Sequence, residues 1–326
     1  MEKKLKVAFI YKKNYPLVNQ KIWYATHYNF FMKALKRNSK IEVTYFPCDN
    51  TFDISKYDGV FDVILLIIND SEATPDIHGL DQVKIPVISG IGDPQENLPR
   101  EEFDKKWKIN AYFNWLDKDM FYKYYPKNFQ YRQIFFGLES NLFKNVIPFN
   151  KRINDKILNS GAVGNTKTVS RLLNTLKSRN HSALNYYRLR TLCNKLSYVD
   201  YTPTLKHEFI RDKYTLLLQK YRAAISASTF FLVVKYFEMP ASGCLTFMEI
   251  TKKNNGEILG FKDDKSAIFI NEDNYKEKFA EYLNDLENPK WEIIANNGRE
   301  HALKNFDNDK AVNELVNLME DVISNF

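Results

Sequence analysis

The chain has 326 residues, 44% hydrophobic and 27% charged, which excludes a disordered or fibrous protein and makes two domains the expectation. The longest aliphatic run, Val63 to Ile68, is too short to span a membrane. The net charge of +7 is concentrated: Lys167 to Arg222 holds 12 Lys or Arg against 3 Asp or Glu, a pattern that points to an anionic partner or a solvated basic face.

In chain order, Met1-Glu-Lys-Lys-Leu-Lys6 runs directly into Val7–Tyr11, a short apolar run of strand type, so no signal peptide and a cytoplasmic location are expected. Residues Ile22 to Arg37 carry Ile22, Trp23, Tyr28, Phe31, Met32 and Leu35 at helical spacing. Ile41–Phe46, Phe61–Ile68, Ile85–Ile88 and Tyr131–Phe136 read as strands. The second of these is a continuous apolar run, the pattern of a central parallel strand. Alternation of strand and helix predicts βαβ units and a doubly wound sheet.

The pattern breaks at Asn141–Asp155, a polar stretch with Pro148, which reads as a linker. A second cycle begins at Ile157-Leu158, with a helix expected over Thr168–Ser178 and strands over Leu196–Val199, Ala223–Ser226, Leu245–Met248 and Ala267–Ile270. Helices are expected over Tyr275–Leu286 and Trp291–Phe306. A last one carries the stripe Val312, Leu315, Val316, Met319, Val322, Ile323. The fold class is therefore α/β with two doubly wound halves.

Two segments carry the chemistry. In Lys235-Tyr-Phe-Glu-Met-Pro-Ala-Ser-Gly243, a Glu at a helix start lies five positions before a Gly, with an apolar strand next. Glu238 is suited to accept hydrogen bonds from a ribose, and Ser242 and Gly243 to offer backbone N–H groups to a diphosphate. The same residues also suit a plain helix start and turn. In Asn159-Ser-Gly-Ala-Val-Gly-Asn-Thr-Lys-Thr-Val-Ser-Arg171, a strand, a Gly-rich turn and a helix follow one another. Lys167 stands six residues after Gly161, and Arg171 one turn further on, where both can meet a diphosphate leaving group.

Together these segments resemble the nucleotide-sugar site of the two-domain GT-B glycosyltransferases, in particular the glycosyltransferase family 4 and spore-maturation (CgeB-like) group. The resemblance covers the second half of the chain in order: the Gly161 loop, the Tyr214–Arg222 helix, the Ala223–Ser226 strand, then Lys235–Gly243. It covers the first half more loosely, through Arg132–Glu139 and Phe143. It implies two Rossmann-like domains facing a cleft, with residues 1–148 on the acceptor side and 149–308 binding the nucleotide sugar. The resemblance also implies that residues 309–326 form a terminal helix able to pack back on the first domain. It further implies that Glu238 holds the ribose, that Gly161, Lys167, Arg171, Lys235, Ser242 and Gly243 hold the diphosphate, and that the sugar is transferred with retention. There is a departure: the retaining branch places a second Glu eight residues before the first, and this chain has Phe230 there.

Asp93, in Ile91-Gly-Asp-Pro94, follows a first-domain strand, where it can face an acceptor hydroxyl or serve as a turn residue. His27 is a candidate base, or a packing residue between Tyr24 and Phe31. Tyr201 is a candidate to stack on the nucleobase. Three cysteines (Cys48, Cys193, Cys244) and five scattered histidines show no metal spacing, and no Asp-x-Asp occurs. The expectation is thus a metal-independent enzyme with no cofactor and a UDP- or GDP-sugar as co-substrate. The acceptor stays open among a glycan, a lipid-linked glycan, a protein and modified DNA, and peripheral membrane contact is compatible with the basic segment. A non-catalytic protein of the same shape is the rival reading.

Overall fold

The computed structural model describes residues 3–15, 18, 26–92, 101–164, 183–203, 208–209 and 213–326. The chain divides into two compact units, residues 1–137 with 306–326, and residues 138–305.

The first unit is built on β1 (Leu5–Lys12), α1 (Thr26–Arg37), β2 (Ile41–Cys48), β3 (Thr51–Asp53), β4 (Val63–Leu66), β5 (Asp76–His78), β6 (Val87–Gly90), α2 (Glu101–Lys106), β7 (Ile109–Asn114), α3 (Lys118–Tyr124) and β8 (Gln130–Gln133). Six strands form one parallel sheet in the order β2-β1-β4-β6-β7-β8, and β3 pairs with β5 apart from it. Successive side chains alternate between faces. Val7, Phe9, Val63 and Leu65 enter one core, while Ala8, Ile10, Ile64 and Leu66 enter the other. With both faces covered, the strands must be apolar throughout, as β4 is.

Strand β7 escapes prediction because Asn110 and Asn114 interrupt its apolar run. Both have backbone work: Asn110 Oδ1 accepts from the Val87 N–H at 2.8 Å, and Asn114 Oδ1 accepts from the Trp115 N–H at 2.5 Å. Gly90, ending β6, lies so close to the Ile67 carbonyl oxygen that a Cβ there would overlap it. The blocking atom is backbone and cannot swing away. Gly90→Ala is expected to destabilise the protein by about 1–3 kcal/mol, read as a drop of several degrees in Tm. An unchanged Tm would show that β4 and β6 separate freely.

The second unit contains β9 (Ile153–Ser160), α4 (Arg188–Cys193), β10 (Val199–Thr202), α5 (Tyr214–Leu218), β11 (Tyr221–Ser226), α6 (Lys235–Ala241), β12 (Leu245–Glu249), β13 (Ile268–Ile270), α7 (Tyr275–Asn284) and α8 (Lys290–Asn305). Its five parallel strands run β10-β9-β11-β12-β13. One face packs Ile157, Ile225, Leu245 and Phe247 against Phe279, Trp291 and Ile294. The other packs Leu158 and Ala224 against Leu218 and Met239. Strand β10 begins where the expected strand ended, because Val199–Thr202 are the residues in register with Ile157–Ser160.

The expected linker segment belongs to the second unit from Leu138 onward, and arginines hold its carbonyls. Arg299 Nη2 donates to Phe143 O at 2.7 Å, Arg152 Nε to Ile147 O at 2.9 Å, and Arg222 Nε to Phe149 O at 3.0 Å. The last helix, α9 (Asn308–Ser324), lies in the first unit. Its stripe Val312, Leu315, Val316 and Met319 joins Phe9, Phe31 and Leu35 in one core, and Arg132 Nη2 donates to Asp321 Oδ2 at 2.7 Å. No described helix is long and apolar enough to cross a membrane.

Candidate functional site

In the second sheet, β9 is flanked by β10 on one side and β11 on the other, so the chain direction of the crossovers reverses at β9. Open α/β sheets bind ligands at the carboxyl ends of the strands beside such a switch point. Here those ends carry Ser160-Gly161 and Ser226.

Gly161 adopts φ +106°, a conformation that glycine enters without strain. Its N–H donates to Thr202 O at 2.8 Å and is therefore not offered to a phosphate. Its function is steric. A Cβ at this position would lie 2.6 Å from Arg190 Nη2 and 2.8 Å from Lys235 Cε. The missing side chain lets two cations close on one backbone turn.

Arg190, on α4, is 2% exposed. Its Nη2 donates to Ser160 O, its Nε to Asn159 Oδ1 at 3.3 Å, and its guanidinium lies 5.1 Å from the Tyr187 ring centroid. Sequence reading missed it. It sits within the basic segment, but nothing in the spacing sets it apart from eleven other cations there. Lys235 opens α6 and is also buried, its Nζ 4.9 Å from the Tyr214 ring centroid. The Tyr214 hydroxyl donates in turn to Ser160 Oγ at 3.1 Å.

Glu238, one turn into α6, is buried as well. Burial raises its carboxyl above the usual range, with Lys235 opposing that shift. Burial, reinforced by the Arg190 charge, depresses the Lys235 ammonium. Two cations and one carboxylate thus occupy a poorly solvated corner in which the positive charge is in excess. A corner of this kind is suited to an anion.

Ser242 and Gly243 correct the expectation. The Ser242 N–H and hydroxyl both donate to Glu238 O, at 3.0 and 2.7 Å, and the Gly243 N–H donates to Pro240 O at 2.8 Å. Their donors close the carboxyl end of α6, and the chain then enters the amino end of β12, away from the strand ends that carry Gly161. They do not present N–H groups to a diphosphate. Tyr201 lies within β10 rather than in a loop after it. Its hydroxyl donates to Gly161 O at 3.0 Å, and it is 39% exposed. Lys167, Arg171 and Asp93 lie outside the described residues, and of His27 only the backbone position in α1 is described.

No family profile and no characterised protein sequence matches the chain. Solved structures do match its fold. HepE of Anabaena, solved with UDP-glucose, is 11% identical with a TM-score of 0.61, the match covering 97% of this chain and 100% of that one. Sucrose-phosphate synthase of Thermosynechococcus elongatus is 11% identical with a TM-score of 0.58, over 99% and 100%. An alpha-glucosyltransferase solved with UDP is 9% identical with a TM-score of 0.60, over 97% and 99%. An alpha-glucosyltransferase solved with UDP-glucose and DNA containing an abasic site is 11% identical with a TM-score of 0.58, over 98% and 100%. Two parallel α/β units and these neighbours establish the GT-B fold of two Rossmann-like domains.

Proposed function

We propose that this protein is a glycosyltransferase that takes a sugar from a nucleoside-diphosphate donor bound at the second unit. The observation that carries this reading is the convergence of buried Arg190 and Lys235 on the Gly161 turn, with buried Glu238 one helical turn away. Fold neighbours solved with UDP and UDP-glucose support it. Glu238 holds the ribose hydroxyls, and Arg190 and Lys235 hold the diphosphate. Lys167 and Arg171 join the same grip, and Tyr201 lies against the base. When the bond from the anomeric carbon to the diphosphate oxygen breaks, its electrons leave with the nucleoside diphosphate. Fixed cations stabilise the charge that builds there without a metal ion. The acceptor hydroxyl bonds to the anomeric carbon and gives up its proton. Asp93 and His27 are the proposed residues for that side of the reaction. The transfer is proposed to be retaining.

DNA carrying a modified base is the second acceptor reading. It is supported by the basic segment and by the fold neighbour solved with DNA. Its signature is DNA affinity that falls steeply with salt.

A thermal-shift screen against UDP, GDP, CDP, ADP and dTDP and their common sugar conjugates tests the donor site. A selective rise in Tm with one base is expected, because a ligand bound only by the native state stabilises it. No rise with any of them at millimolar concentration would overturn the reading. For the nucleotide that binds, Glu238→Ala is expected to weaken affinity by about 1–3 kcal/mol. Unchanged affinity would remove Glu238 from the site.

A further inference from the structure

The grip on the nucleoside diphosphate leaves a set of polar groups unused at the carboxyl ends of β11 and β12. Ser228 and Thr229 follow β11, and Glu249 ends β12. All three are buried, at 0%, 7% and 4% exposure. Ser228 Oγ, Thr229 Oγ1 and Glu249 Oε2 have no hydrogen-bond partner among the described residues, and neither has Ser226 Oγ at the end of β11. Native proteins seldom leave such groups unpaired, and several together at one strand edge call for a ligand.

Their positions are fixed by the backbone. The Ser228 backbone N–H favours the charged form of the Glu249 carboxyl. Asn254 Nδ2 braces both strand ends, donating to Ser228 O at 2.8 Å and to Glu249 O at 2.7 Å. Strand β11 is the neighbour of β9 at the switch point, so this set stands beside the end of the sheet that carries Gly161. The Arg190 charge reaches Tyr236, whose hydroxyl donates to Glu249 O at 2.8 Å.

The donor set has a definite chemistry. Two hydroxyls both donate and accept, and one carboxylate oxygen only accepts. Lys253 acts weakly in favour of the Glu249 charge and Glu272 acts against it, and Glu272 is itself paired with Arg188 at 2.9 Å. Phe230, next in the chain, is 43% exposed and offers an aromatic face. Hydroxyl and carboxylate partners beside an aromatic ring match a pyranose, which has hydroxyls on its rim and C–H groups on its faces. A negatively charged sugar would be repelled by Glu249.

We propose that Ser228, Thr229 and Glu249 form the subsite for the transferred group of the donor, a neutral polyhydroxyl sugar ring, and that they select against uronic acids. This rests on the donor reading above and goes beyond it in naming the sugar class and the residues that read it.

Calorimetry on the full chain separates the two. The probes are UDP, UDP-glucose, UDP-galactose and UDP-glucuronic acid, with GDP and GDP-mannose as a second series. The expected result is that a neutral sugar diphosphate binds about tenfold or more tightly than its bare nucleotide, since a site built to pair hydroxyls loses heavily when they are missing. Glu249→Gln and Ser228→Ala are each expected to erase most of that gain while leaving the affinity for the bare nucleotide unchanged. UDP-glucuronic acid is expected to show no gain in the wild type and to recover in Glu249→Gln. Nucleotide binding without any gain from a neutral sugar would overturn the subsite alone, as would a gain that survives both variants. A parallel loss of bare-nucleotide affinity and of Tm in both variants would show a purely structural role and overturn it too. Failure of the wild type to bind any nucleotide would sink the donor reading and the subsite with it.

Discussion

Lys235→Met is expected to lower nucleoside-diphosphate affinity by roughly 10- to 100-fold, the loss of about 1.5–3 kcal/mol for hydrogen bonds to a charged group, while leaving Tm unchanged or higher. The two effects have one cause. Lys235 is buried beside Arg190, and burial together with that like charge depresses its ammonium. For a lysine whose folded value lies below its unfolded value, the folded state binds the proton less tightly. The resulting cost to stability is fully present below the folded value of about 8 and is relieved as pH rises from there to the unfolded value of 10.5. Met removes that cost and keeps most of the volume against Gly161 and Tyr214. It also lets the neighbouring Glu238 sit neutral, the direction in which burial already pushes it. A site that holds excess positive charge in a dry corner is destabilised when empty and satisfied when a diphosphate arrives. Calorimetric titration with the nucleotide that the thermal screen selects, paired with a melting curve, reads both quantities. Undiminished affinity in the variant would mean that Lys235 is a structural residue and that the diphosphate lies elsewhere. A large fall in Tm would mean that its charge is paired in the free protein.

The fold was legible because parallel strands buried on both faces leave little choice of residue. Val63–Ile68 and Leu245–Met248 could hardly be read otherwise. Strands that mix apolar residues with asparagine were missed, as β7 shows, since their polar side chains serve neighbouring backbone and carry no periodic mark. Part of the candidate site also lies where the sequence carries a mark. Gly161, Lys235 and Glu238 sit in segments whose spacing announces a turn or a helix start. Arg190 sits in a short helix packed from a distant part of the chain, and only the tertiary fold brings it to Gly161. Ser242 and Gly243 misled for a physical reason: a small polar residue followed by glycine marks a helix end as readily as a phosphate loop, and here it marks the helix end. Ser228, Thr229 and Glu249 had no sequence signal at all. Their significance lies in what they fail to bond with, which only coordinates reveal.

The same carboxylate gives the second large effect, in the free protein. Burial, with the Glu272 charge behind it, pushes the Glu249 carboxyl up to about 7, against small opposing contributions from the Ser228 N–H and Lys253. An ordinary glutamate titrates near 4.5. Between those values the folded chain keeps a proton that the unfolded chain has released. Stability is therefore greatest below the unfolded value and falls as pH rises, the loss being complete above the folded value. At full extent it amounts to about 3 kcal/mol, at 1.36 kcal/mol for each tenfold change in proton affinity. Glu249→Gln removes the titration while keeping a side chain of nearly the same shape. Urea unfolding of wild type and variant at pH 5 and pH 8 isolates the effect, since every other titrating group contributes alike to both proteins. The variant is expected to lose less stability than wild type on going from pH 5 to pH 8, by about 2–3 kcal/mol. Parallel profiles would show that solvent or an internal partner already satisfies Glu249, and would weaken its assignment to the sugar. The expected outcome sets the two properties against each other: a substitution that makes the protein more stable at neutral pH is the one that costs it recognition of the sugar. A buried carboxylate that destabilises the free fold in this way is accounted for by the sugar hydroxyls proposed to meet it.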